Sequence, residues 1–344
     1  MKVAIRVDAS REIGHGHVVR CLALADALSR EGAEVVFMCQ QLPGDAVEQI
    51  REAGFLCWLL SPVSSVEEDA DQTASLLDHA PGWNWLVVDH YRLSVRWSRV
   101  LRARVGHILA IDDLANRLID CDVLLDQNLH PDPTRRYAGL VAPTSLQLLG
   151  PDYALLRPEF QRAREALQPR DGQLQRVLVC FGGSDVSNAT QIALLALLPA
   201  FPWLSFDVVV GAAYPHEVSL RQICATHANV QITVAAEDMV SRMVEADLFV
   251  GAGGSMTWER AAVGLPGITI SIAENQRSLC RLLHDRSENM DLGPLEAFDP
   301  AALCEAVRHL ASDAGAVREM GKSLGRHCDG RGAMRVAAVL CAQP

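Results

Sequence analysis

Short apolar runs of strand length alternate with longer stretches of helical spacing through most of the sequence. That alternation restricts the chain to parallel α/β sheets, because a strand followed by a helix returns to the sheet by a right-handed crossover. Residues 2–8, 34–39, 55–60, 85–90, 107–112 and 123–127 are predicted strands, with helices over 18–30, 44–53, 65–79 and 94–105. In the first helix Leu22, Leu24, Ala25 and Leu28 supply the apolar face. The pattern breaks between about 159 and 175, where Gln168-Pro-Arg-Asp-Gly-Gln173 is polar and turn-rich. It restarts with strands at 176–181, 206–210, 230–234, 248–251 and 268–272. The helices there fall at 188–198, 218–228, 239–245, 257–263 and 276–285, and the tail from Pro300 reads as helical. The reading is α/β, with two doubly wound, Rossmann-like parallel-sheet domains facing a cleft. They cover 1–160 and 175–344, with the last helix free to return to the first domain.

At 344 residues, two cores are expected. Hydrophobic residues make up 49% and aromatics only 5%, so the cores are aliphatic, as suits helices packed on parallel strands. A net charge of −11 argues against nucleic acid and against stable contact with an anionic membrane. It leaves room for a small anionic ligand held by a few local donors. The ten cysteines form no C-x-x-C pair, so a zinc knuckle is not expected and a reducing cytoplasm fits them. There is no signal-peptide-like apolar segment and no run of 18 apolar residues.

In doubly wound sheets, ligands sit beyond the carboxyl ends of the strands. The informative residues should therefore follow the strands. Asp8 and then Gly14-His15-Gly16-His17-Val18-Val19-Arg20 follow the first strand. Val19 breaks the dinucleotide fingerprint G-x-G-x-x-G. What remains is a histidine opening a helix beside glycines. Imidazole as a class titrates near pH ~6.5 and can take a proton from water, so His17 is a candidate base. Packing or capping of the helix is the structural alternative, and His15 is the weaker candidate.

Gly251-Ala-Gly253-Gly254-Ser255 ends another strand before a helix. Its backbone N–H groups and the positive helix end suit a diphosphate, with Ser255 as helix cap. Glu259 lies one turn on and could accept both ribose hydroxyls. No Lys-Ser/Thr follows these glycines, so a nucleotide triphosphatase loop is excluded. Gly182-Gly183-Ser184-Asp185 could contact phosphates or sugar, or be a turn capped by Asp185. Glu274-Asn275-Gln276 follows a strand and offers Asn275 and Gln276 to hydroxyls or phosphate. Asp89-His90-Tyr91 and Asp112-Asp113 end strands in the first half and suggest a sugar pocket, with capping as the alternative for Asp112 and Asp113. Two D-x-D matches, Asp69–Asp71 and Asp120–Asp122, are discounted as metal sites. The first reads as a solvated helix face and the second precedes a strand. No metal or cofactor is expected.

Taken together, these motifs resemble the UDP-2,4-diacetamido-2,4,6-trideoxy-β-L-altropyranose hydrolases of pseudaminic acid biosynthesis. The resemblance rests on Arg6-Val-Asp8-Ala-Ser, Ile13-Gly14-x-Gly16-His17-x-x-Arg20, Val88-Asp89-His90-Tyr91, Asp112-Asp113 and Leu124-Leu-Asp-Gln-Asn128. It extends to Gly150-x-x-Tyr153-Ala-Leu-Leu-Arg157-x-Glu159-Phe160 and Gly182-Gly183-Ser184-Asp185. The run from Gly253-Gly254-Ser255 to Glu259 is also similar to GT-B glycosyltransferases, notably the enzyme that adds N-acetylglucosamine to lipid I. His15 between the glycines and the tail past Gln276 depart from the pattern.

The resemblance implies a GT-B type fold, UDP in the C-terminal domain, the sugar facing the N-terminal one, and His17 as general base. The expected reaction is hydrolysis at the anomeric carbon with inversion. Asp8, Arg20 and Tyr91 are expected to orient His17 or the sugar, and the Gly253–Ser255 amides to take up charge on the leaving diphosphate without a metal. Two other readings use the same donor site: a metal-independent glycosyltransferase and a non-catalytic nucleotide-sugar-binding subunit.

Overall fold

The computed structural model describes residues 1–343 and divides into two compact units. The first unit runs from Met1 to Arg157 and takes up the chain again from Arg331. Its elements are β1 (Lys2–Val7), α1 (Gly16–Arg30), β2 (Glu34–Gln40), α2 (Val47–Glu52), β3 (Leu56–Leu60) and α3 (Val66–His79). There follow β4 (Trp83–Asp89), α4 (Val95–Leu101), β5 (Val105–Ile111), β6 (Val123–Asp126), α5 (Pro133–Arg136) and β7 (Leu146–Leu149). All seven strands are parallel, in the order β3-β2-β1-β4-β5-β6-β7. Winding proceeds outward from β1 in one direction and then outward from β4 in the other. The connections that leave β1 and β4 therefore run to opposite faces of the sheet, which makes this a topological switch point.

The sheet is buried on both faces. Val3, Ile5, Val7, Trp85 and Val87 face one cluster, and Ala4, Val36, Leu86, Val88 and Ile108 face the other. Alternate residues of one strand serve opposite cores, which is why these strands read as continuous apolar runs.

The second unit, Pro158 to Gly330, opens with α6 (Pro158–Ala166). It continues with β8 (Arg176–Cys180), α7 (Ala189–Ala200), β9 (Ser205–Val210), α8 (Glu217–Ala225), β10 (Val230–Val234) and α9 (Met239–Glu245). Next come β11 (Leu248–Gly251), α10 (Met256–Ala262), β12 (Gly267–Ser271), α11 (Glu274–Asp285), β13 (Met290–Pro294), α12 (Pro300–Ser312) and α13 (Ala314–Leu324). Its parallel order is β10-β9-β8-β11-β12-β13, so the switch point lies between β8 and β11.

A last helix, α14 (Gly332–Ala342), packs within the first unit. Val336, Ala337 and Leu340 join the core beside α1, and the Trp85 indole donates to the Leu340 carbonyl at 3.1 Å. Among the described residues no helix is long and apolar enough to cross a membrane.

Two strands, β7 and β13, do not appear in the sequence-based reading. Both are outermost in their sheets and carry partly buried side chains, so their apolar pattern is weak. The solvated-face reading of Asp69 is overturned. Its carboxylate is 1% exposed and accepts from Arg6 Nη2 at 2.5 Å, the Gln40 amide at 2.8 Å and the Trp97 indole at 2.8 Å. Asp71, two residues on and so on the opposite side of α3, is exposed. Asp120 and Asp122 both pair with Arg102.

Candidate functional site

The switch point of the first unit brings together two segments far apart in sequence. Val7 of β1 lies beside Asp89 of β4 in register, so the residues just beyond each strand emerge side by side. From the β1 side come Asp8 and, after a tight loop, His17 and Arg20 on the first turn of α1. Those two are three apart and share a helix face. From the β4 side come Asp89, His90 and Tyr91.

His17 Nδ1 lies 2.7 Å from Asp89 Oδ1. Arg20 donates to the same carboxylate through Nε at 2.6 Å and Nη2 at 2.5 Å. Arg20 Nη2 is also 3.0 Å from His17 Nδ1, but two donors cannot share a hydrogen bond. The consistent assignment puts the proton on Nδ1, donated to Asp89, and leaves Nε2 with a free lone pair. Asp89 is buried, which pushes its carboxyl pKa up, but the Arg20 and His17 charges and hydrogen bonds outweigh burial and hold it far below the usual carboxylate range. Asp89 is thus a fixed anion behind His17. The Tyr91 ring meets the His17 ring edge-on at 4.8 Å and 81°.

Several expectations change on this geometry. Asp89, read from sequence as a sugar ligand, has both oxygens engaged with His17 and Arg20. Asp8, expected to orient His17 or the sugar, instead accepts from Arg6 Nη1 and Nη2 at 2.6 and 2.8 Å and from the Gln40 N–H at 2.8 Å. His90 Nε2 adds a contact to Asp8 at 3.3 Å while His90 Nδ1 accepts the Arg92 N–H. Asp112, also read as a ligand, is buried and does turn chemistry. It accepts the Leu114 and Ala115 N–H groups, bonds Arg117 at 2.5 Å and takes the Tyr137 hydroxyl. Asp113 lies behind the site, 3.6 Å from Arg20 Nη1. Gly14 and Gly16 build the loop and do not line the cavity. The Gly14 N–H closes onto the Ser10 carbonyl at 2.8 Å, and Gly16 begins α1.

A pocket of about 500 Å³ opens here, lined by Asp8, His17, Asp89, His90 and Tyr91. Arg11, Leu42, Pro43, Val63 and Arg92 complete much of its wall. Leu42, Pro43 and Val63 come from the loops after β2 and β3. Nothing in those short stretches marks them; only strand order delivers them to the site.

Three carboxylates are held ionised against the cost of burial, Asp8 by His90 and Arg6, Asp69 by Arg6, and Asp89 by Arg20 and His17. Each folded pKa lies below the unfolded value near ~4. Their stabilisation is therefore present above that value and is lost as pH falls toward the folded pKa. Urea midpoints should be level between about pH 5 and 7 and drop steeply below about pH 4. A midpoint unchanged down to pH 3 would contradict these pairings.

In the second unit the same topology gathers two glycine-bearing turns and the Glu274–Gln276 segment. Gly182 has φ +99°, a conformation open to glycine and strained for other residues. Ser184 is half-buried in this turn. Asp185 accepts the Ala189 and Thr190 N–H groups at 2.9 Å each, so it caps α7. At the end of β11, a Cβ on Gly253 would sit 1.9 Å from Cys280 Sγ. Helix packing thus accounts for that glycine. Gly254 faces the Gln276 amide, whose Nε2 is 3.5 Å from where its Cβ would be, and Gln276 Oε1 accepts the Ile272 N–H at 3.0 Å. Ser255 occupies the N-cap position of α10, but its side chain makes no capping bond, contrary to the sequence reading. Glu259 is half-buried and Asn275 exposed.

Gly253→Ala should lower stability by about 1–3 kcal/mol through overpacking. A second change, Cys280→Ala, should recover part of the loss, read as a positive coupling in a urea-denaturation double-mutant cycle.

No family model matches the chain. Over 279 residues it is 26% identical to the UDP-2,4-diacetamido-2,4,6-trideoxy-beta-L-altropyranose hydrolase of Campylobacter jejuni, covering 81% of this chain and 94% of that protein. Over 193 residues it is 28% identical to spore coat polysaccharide biosynthesis protein SpsG of Bacillus subtilis, covering 56% of this chain and 57% of that protein, little more than half its length. Among solved structures, Acinetobacter baumannii MurG matches with a TM-score of 0.69 at 14% identity over 99% of both chains. Spinosyn rhamnosyltransferase SpnG complexed with thymidine diphosphate matches at 0.59 and 16%, again over 99% of both.

With two parallel sheets of seven and six strands, these likenesses define a GT-B type fold. The sequence similarity to the Campylobacter enzyme supports the resemblance to the UDP-diacetamido-trideoxy-altropyranose hydrolases that the motifs carry.

Proposed function

We propose that this protein hydrolyses a UDP-linked diacetamido-trideoxy sugar at its anomeric carbon, releasing UDP and the free sugar, as in pseudaminic acid-type biosynthesis. The observation that carries the reading is the His17–Asp89 pair on the wall of a sugar-sized pocket. In the reaction His17 Nε2 takes a proton from water as the water oxygen bonds to C1. The C1–O bond to the β-phosphate breaks, the bonding pair leaves with UDP, and C1 inverts. Asp89 holds the proton on Nδ1 and balances the imidazolium that forms. Tyr91 packs against the ring, and Arg20 fixes Asp89. The Gly182–Gly183–Ser184 and Gly253–Gly254–Ser255 turns, with Gln276 and Asn275, hold the diphosphate of UDP, and Glu259 takes the ribose.

The test is to incubate the pure protein with a panel of UDP-sugars in the presence of chelator and to follow free sugar by NMR. Release of one sugar with inverted configuration is the expected result. Turnover that stops in chelator and returns with a divalent ion would overturn the metal-free reading.

A second reading, a glycosyltransferase using the same donor, is favoured by the rhamnosyltransferase with this fold. UDP release that depends on an added acceptor would select it. Tight UDP-sugar binding with no turnover under either condition would leave a binding subunit.

A further inference from the structure

The charges lining the His17 pocket are unevenly satisfied. Asp8 is closed off by Arg6, Gln40 and His90, and Asp89 by Arg20 and His17. Arg11 and Arg92 line the same pocket, and both are exposed. Among the described residues neither has an ion-pair partner, although acidic residues outnumber basic ones 42 to 31. Glu12 is the remaining acid on this wall.

Both arginines stand on anchored backbone. The Arg11 N–H donates to the Pro43 carbonyl at 3.1 Å, and its Cγ packs where Gly44 has no Cβ, 2.8 Å from that position. The Arg92 N–H donates to His90 Nδ1 at 3.1 Å. A pocket for neutral hydroxyls alone has no use for two cations, whereas a guanidinium matches an oxyanion with two parallel N–H bonds.

We propose that Arg11 and Arg92 form an anion-recognition pair on the wall of the His17 pocket, and that they hold a phosphoryl oxyanion of the substrate. The idea rests on the reading that this pocket takes a sugar nucleotide. In that setting the pair selects substrates by charge and retains the anion while C1 stays beside His17.

The test is arginine footprinting with phenylglyoxal, read by peptide mass spectrometry on the full chain. The probes are UDP, inorganic pyrophosphate and glucuronate, with N-acetylglucosamine as the neutral control. Modification of both Arg11 and Arg92 should slow about tenfold or more with a bound anion and not with the neutral sugar, while exposed Arg135 stays unchanged. Protection by UDP and pyrophosphate is the expected result; protection by glucuronate alone overturns the phosphoryl assignment. In the Arg11→Gln/Arg92→Gln double variant, affinity for the protecting anion should fall about 10- to 100-fold. Unchanged reactivity with all three anions at saturation, or protection of only one arginine, overturns the pair. The assay needs no turnover and runs equally on His17→Asn. A protein that hydrolyses nothing yet shows protection keeps this inference, and one that hydrolyses with unprotected arginines loses it alone.

Discussion

His17→Asn is expected to lower UDP-sugar turnover by about 10²–10⁴-fold, the usual contribution of a positioned general base, while UDP binding persists. Asparagine keeps a polar group of similar reach but offers no basic nitrogen. The His17 side chain is 11% exposed and packs against Tyr91, so a urea midpoint is taken beside the rate to separate lost chemistry from lost packing. The measurement is initial rate of UDP release beside calorimetric UDP affinity. A variant with wild-type turnover would remove His17 from the reaction, and one that had lost UDP affinity equally would point to a binding role.

Asp89→Asn is expected to act on two readouts at once. The amide cannot hold the His17 proton on Nδ1 as a carboxylate does, so the tautomer with Nε2 free is no longer enforced, and turnover should fall by roughly 10²–10⁴-fold. Arg20, which is 7% exposed and bonded to both Asp89 oxygens, loses its close counter-charge and keeps only Asp113 at 3.6 Å. Breaking such a buried pair costs on the order of 3 kcal/mol. Urea denaturation reads the stability, and ¹⁵N chemical shifts of the His17 ring read the tautomer. The second readout separates a positioning role from mere loss of fold, because destabilisation alone leaves the ring nitrogens of the folded fraction unchanged. Retained tautomer and near-normal turnover would sink the assignment.

Much of the fold was legible because periodicity reports it. Strands such as Val230–Val234 and Leu248–Gly251, and helix Met239–Glu245, have the bounds that apolar spacing predicts. β7 and β13 were not legible, since strands at the margins of their sheets show mixed burial and no clean pattern. Arg6 looks like an ordinary charge in an apolar run. Its place between Asp8 and Asp69, 63 residues from the latter, follows from how α3 packs on the sheet. Asp112 shows the reverse error: a carboxylate at a strand end looks like a ligand until its turn is seen.

The amino-acid order by itself determined the alternation of strand and helix, the aliphatic cores, and the concentration of glycine, histidine and carboxylate just beyond strand ends. These are local properties, set by side-chain period and by the backbone freedom of a few residues. Only the tertiary structure decided which strand ends are neighbours. By setting β1 beside β4 it paired His17 with Asp89, 72 residues away, and closed Asp8 onto Arg6 and His90. Hydrogen bonds act over about 3 Å, so the partner of each polar group depends on sheet order, which no local pattern encodes.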